Sequence, residues 1–170
     1  IARILSNFDT IDTNYAESLI SKCRDAYKLS LQQCQNTLHW KVWLAAARME
    51  LWSKNVEAAK GFLALALEGA PLKSKTQVYL ETARLEEFEG RVDEARKLLK
   101  TGQERSRKEW KIYLESVLLE IRYNERAAAI LEAENALKAH PGTGRLWAIL
   151  IQLKSVENPA AQFSALERAL

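Results

Sequence analysis

The side chains that could do chemistry in this sequence are few and scattered. His39 and His140 lie far apart, and neither has a Ser, Cys or Asp at a recognisable catalytic spacing. A general base needs its proton donor within hydrogen-bond reach, so no hydrolytic arrangement is expected from them. Cys23 and Cys34 stand eleven positions apart, in what reads as one helix, too far along it to form a disulfide. Two free thiols follow, and no Cys/His cluster has metal-ligand spacing. Gly142 and Gly144 flank Thr143 with no strand before them, which excludes a phosphate-cradling glycine loop. Glu86, Glu87 and Glu89 suggest a carboxylate cluster, but a helix turns them to different faces. The expectation is a chain with no catalytic residue, no metal and no cofactor.

Charge is the chemistry that remains. Lys41, Arg48, Arg84, Lys111 and Arg145 recur at related positions of a repeating unit, and on one helix face they would form a basic stripe. Arg and Lys give charge-assisted hydrogen bonds to carboxylates and phosphates alike, so an acidic peptide segment or an RNA backbone could be received there. The alternative is a solvated face in which these cations meet local glutamates. A second basic stretch, 91–111, is interrupted by Asp93, Glu94, Glu104 and Glu109, and no exposed aromatic array accompanies it of the kind that stacks single-stranded bases. With 25 Lys and Arg against 22 Asp and Glu, the net charge of +3 is too small to predict nucleic-acid binding by itself.

The elements that would position these cations come from an internal repeat. Trp43, Tyr79, Tyr113 and Trp147 are spaced by 36, 34 and 34 residues, and each opens a segment of helical periodicity. Seven residues on stand Glu50, Glu86, Glu120 and, as a departure, Lys154; sixteen on stand Ala59, Ala95, Ala129 and Phe163. Pro71 and Pro141 follow the second helix of their units, where the helix must stop. Eleven residues after the aromatics come Lys54, Gly90, Asn124 and Asn158, largely types that tolerate a turn. Only three Pro and six Gly punctuate a chain rich in Ala, Leu, Glu, Lys and Arg, which favours long helices over a β fold.

Each unit therefore reads as two antiparallel helices, the alanine at plus sixteen letting their backbones approach. One pair cannot bury its own apolar face, so pairs must stack. The predicted fold is all-α: an α-α superhelix, a tetratricopeptide-like solenoid, with a helical segment over 1–38 and helix pairs over 39–71, 75–107, 108–141 and 143–170. Helices are predicted near 1–7 and 14–35, the latter opening on a capping box of Asn14 and Glu17. The others fall near 39–53, 55–69, 75–89, 91–105, 108–123, 124–139, 143–156 and 159–170. Trp52 and Phe88, each nine residues after a repeat aromatic, are expected in the core. Without a polar cap at its last helix, the chain is expected to be part of a longer solenoid. No run reaches the length of a membrane span.

The strings Trp43-Leu-Ala-Ala-Ala-Arg-Met-Glu50, Tyr79-Leu-Glu-Thr-Ala-Arg-Leu-Glu86 and Tyr113-Leu-Glu-Ser-Val-Leu-Leu-Glu120 resemble the half-a-tetratricopeptide (HAT) repeat, as do Glu94-Ala-Arg-Lys and Leu166-Glu-Arg-Ala-Leu170. The glutamate at plus seven distinguishes that variant from the ordinary tetratricopeptide repeat. Pro141-Gly-Thr-Gly-Arg-Leu-Trp147 resembles the junctions of the branch that bridges particles in the tri-snRNP of pre-mRNA splicing. The resemblance implies a non-enzymatic scaffold for proteins of a ribonucleoprotein complex, working in RNA processing and placed in the nucleus. It also leaves open a module that binds single-stranded RNA directly. A chaperone-tail adaptor fits less well, because Leu44 and Arg48 stand where its carboxylate clamp would want Lys and Asn.

Overall fold

The computed structural model describes residues 13–155 and 159–168. Nine α-helices and no strand are found among them. These are α1 (Thr13–Gln33), α2 (His39–Trp52), α3 (Val56–Gly69), α4 (Lys75–Phe88), α5 (Val92–Arg105), α6 (Trp110–Arg122), α7 (Arg126–Ala139), α8 (Gly144–Ser155) and α9 (Pro159–Glu167). The expected helix near 1–7 lies outside the described residues. Two short 3-10 turns, Asn36–Leu38 and Leu72–Ser74, precede α2 and α4; periodicity did not separate them from loop. The helix is described from Thr13; the capping box expected of Asn14 rests on a side chain outside the described ones.

The chain forms two compact units, residues 1–95 and 96–170. In the first, α2 and α3 make a helical hairpin that also packs on α1 and α4. Trp40, Leu44, Ala47 and Leu51 recur every three or four residues on α2 and meet Ala59, Leu63 and Ala66 of α3, with Val78 and Leu85 of α4 closing the cluster. Ala59 is fully buried, and a bulkier side chain at such a crossing overpacks it. Gly69 serves the same approach at the other end of the hairpin, where a Cβ would stand 2.9 Å from Cζ3 of Trp43.

The second unit repeats the scheme. Leu114 and Val117 of α6, Ala129, Ala133, Ala136 and Leu137 of α7, and Leu146 and Leu150 of α8 form its core. Tyr113 meets His140 edge-on at 4.9 Å between ring centroids, while the Trp147 indole Nε1 donates to the Pro141 carbonyl at 2.7 Å.

One device closes the first helix of three successive pairs. Lys54, Gly90 and Asn124 all have left-handed backbones, with φ of 63°, 80° and 58°. The next residue's amide reaches back to the repeat glutamate's carbonyl: Asn55 to Glu50 at 2.8 Å, Arg91 to Glu86 at 2.9 Å and Glu125 to Glu120 at 2.9 Å. This is the six-to-one bond of a Schellman motif, and it reverses the chain within a few residues. The turn-tolerant types at plus eleven thus have a definite cause, a required positive φ.

Phe88 departs from expectation: at the last position of α4 it is 49% exposed. Trp52, at the same register, is half-buried.

Candidate interaction surfaces and the ion-pair clasps behind them

The glutamate column does more than mark a register. Glu50 is buried, its side chain only 2% exposed, yet it carries a charge that must be matched. Arg24 of α1 grips it with two bonds, Nε at 2.9 Å and Nη2 at 2.7 Å. The Tyr27 hydroxyl donates at 3.0 Å, and Ser53 Oγ and Asn55 Nδ2 at 3.3 and 3.2 Å. Chiefly through the Arg24 hydrogen bonds, which outweigh burial, the Glu50 carboxyl is held below its usual range. Burial first, and the neighbouring Glu50 second, push the Tyr27 phenol up.

In the second unit Arg96 of α5 grips Glu120 of α6 with two bonds of 2.8 Å. Glu86 takes a different partner, the Arg91 that follows its own helix, which also reaches Glu89. Lys60 of α3 meets Glu89 at 3.0 Å. The last pair reverses the signs: where glutamate was expected, Lys154 of α8 donates to Glu134 of α7 at 2.6 Å. Lys154 therefore keeps the link to the preceding helix.

The basic members of these clasps, Arg24, Lys60 and Arg96, stand 36 residues apart and were missed in the sequence. Their signal was available. The spacing equals that from Trp43 to Tyr79, but cations scattered on solvent-facing helices carry no pattern until their partners are known.

A further carboxyl, Glu132 of α7, is pushed above its ordinary value, first by burial and then by the charge of Glu120. A hydrogen bond from Ser116 and the charge of Lys100 only partly oppose this.

The expected basic residues fall into the two units. In the first, Lys41 is exposed on α2 and its ammonium lies 5.6 Å from the Trp40 ring centroid. Arg48 is paired with Glu81 of α4, and Arg84 lies 3.9 Å from the same carboxylate. In the second unit Lys111 and Arg145 are exposed near the starts of α6 and α8. Of the histidines, His39 contacts the Cys34 carbonyl at 3.2 Å and the Trp43 ring edge-on, whereas His140 packs on Tyr113. No group of three or more His, Cys, Asp or Glu able to hold a metal occurs among the described residues, and no helix there is long and apolar enough to cross a membrane.

Helical hairpins, with an alanine at the crossing and a glutamate at the end of the first helix in three of the pairs, agree with one family, whose model, the PRP6 TPR-like domain, matches residues 8–170. The chain belongs to the PRP6 TPR-like domain family. A TPR-containing protein of Dictyostelium discoideum is 47% identical over 74 residues, 44% of this chain, and the chain spans only 6% of that protein's length. The crystal structure of MamA resembles this PRP6 TPR-like chain with a TM-score of 0.59 at 14% identity, covering 94% of this chain and 91% of MamA. At that identity the likeness establishes the helical-repeat fold. Helical-repeat families of this type, the PRP6 TPR-like domain among them, are protein-interaction scaffolds.

Proposed function

We propose that this chain is a non-catalytic scaffold that binds other proteins of an RNA-processing complex, in pre-mRNA splicing and in the nucleus. The observation that carries the reading is the PRP6 TPR-like match over residues 8–170. The chemistry available to partners supports it: Lys41, Lys111 and Arg145 are exposed ammonium and guanidinium groups on the first helices of their pairs. A partner's carboxylates would meet them there. Arg48 and Arg84 contribute where an incoming carboxylate replaces Glu81 between them.

Salt dependence separates this from direct RNA binding, since phosphate-driven affinity falls steeply as salt rises. In a gel-shift series with single-stranded RNA at low and physiological salt, the scaffold reading predicts no complex that survives physiological salt. A tight RNA complex lost on combining Lys41→Glu, Lys111→Glu and Arg145→Glu would contradict it.

A further inference from the structure

Helices α1 and α2 leave an open groove of about 440 Å³ on the first unit. Ala26 and Tyr27 of α1 and Val42, Ala45 and Met49 of α2 line it, with Lys41 also in the lining. Its size falls within the ~300–1,000 Å³ typical of binding clefts. Ala26 and Ala45 are both exposed, and such small residues leave room that neither helix fills.

Tyr27 gives the groove a fixed wall. Its hydroxyl is anchored on the buried Glu50 at 3.0 Å, and its ring meets Phe62 edge-on at 5.4 Å between centroids. A wall held in place before binding lowers the ordering cost of a guest. Met49, with its flexible thioether, can adapt to the shape of an inserted side chain.

The charge at the site identifies the guest. Lys41 has no carboxylate partner among the described residues, in contrast to Arg48, which Glu81 occupies. An apolar wall beside the Lys41 ammonium suits a short segment that joins an apolar side chain to a carboxylate. It suits RNA poorly, because RNA draws its affinity from many phosphates at once.

We propose that this groove receives an apolar and acidic peptide segment of a partner protein, an aliphatic side chain entering between Tyr27 and Met49 while a carboxylate meets Lys41. The proposal rests on the scaffold reading and assigns one surface to it.

The test selects random short peptides displayed against the full chain. Enriched sequences should carry Leu, Ile or Val within a few residues of Asp or Glu. Ala45→Trp, which fills the groove from an exposed position, should weaken the selected peptide by about tenfold or more. Lys41→Glu should weaken it by about fivefold, with recovery when the peptide's acid is replaced by lysine. Saturating peptide should also slow alkylation of the groove thiol Cys23 while leaving Cys34 unchanged. Circular dichroism melts establish that each variant is folded, and the surface change at Lys41 keeps the test valid should Ala45→Trp fail to fold.

Absence of any apolar-acidic enrichment would overturn the proposal, as would binding indifferent to both variants. So would protection of Cys23 by single-stranded oligouridine in place of peptide. Should peptides fail while native protein complexes still co-purify with Ala45→Trp, this groove is wrong and the scaffold reading stands; a chain that retains no protein partner at all removes the scaffold reading itself.

Discussion

Glu50 shows how a single residue can serve both the backbone and the packing of this fold. Its carbonyl receives the bond that ends α2, and its carboxylate receives Arg24, Tyr27, Ser53 and Asn55. Glu50→Ala would leave Arg24 and Tyr27 without their acceptor; because the Arg24 side chain is 40% exposed and can be hydrated, the loss should be about 1–3 kcal/mol. Urea unfolding of the variant should show that loss at neutral pH. Because the folded-state pKa of Glu50 is depressed, its contribution is complete above the unfolded carboxyl value of ~4.3 and disappears as pH falls through the lower folded value. Wild type and Glu50→Ala should therefore converge in stability in strong acid. Glu132 has the opposite sign. With its pKa raised by burial and by Glu120, it contributes fully only below ~4.3 and loses that contribution as pH rises through its folded value. Glu132→Gln should raise the midpoint of thermal unfolding at pH 7 and lose the advantage at pH 4. The glutamate column was legible from spacing alone, but which cation each member takes was not. Arg24 and Arg96 come from the preceding helix, Arg91 from the following turn, and only the packed helices decide between them.

At the scale of elements, the nine helices of the described residues lie close to the segments read from aromatic spacing, because amphipathic periodicity and the alanine crossings are both local patterns. What periodicity could not supply was the conformation of the reversals. Lys54 occupies a left-handed position that costs an L-residue other than glycine about 1–2 kcal/mol. Lys54→Gly should therefore stabilise the first unit by up to about 1 kcal/mol after the greater flexibility of the unfolded glycine is counted, measured as a shift in the urea midpoint. The departure at Lys154 is explained by its partner, Glu134. Lys154→Glu places two carboxylates together and should destabilise the second unit, while adding Glu134→Lys should recover most of the loss. A double-mutant cycle in urea reads the coupling directly. Phe88 remained illegible because a register position at a helix's last turn fixes the direction of a side chain, not whether another element covers it.

For the whole molecule, the family match and the helical-repeat fold lead to a protein whose work is done by surfaces. Its charged residues divide into two roles: Arg24, Arg96 and Lys154 are occupied in joining helices, whereas Lys41, Lys111 and Arg145 face outward. That division was only half visible in the sequence, which showed the cations as a register and left open that local glutamates meet them, but did not single out Arg48 or its partner Glu81. Affinity purification of the full-length protein from nuclear extract, with and without ribonuclease, tests the scaffold claim most directly. The account predicts that a defined set of ribonucleoprotein proteins stays bound after the RNA is destroyed, and that it is depleted by combining Lys41→Glu, Lys111→Glu and Arg145→Glu. Release of every protein by ribonuclease, with RNA alone recovered from the untreated sample, would contradict it.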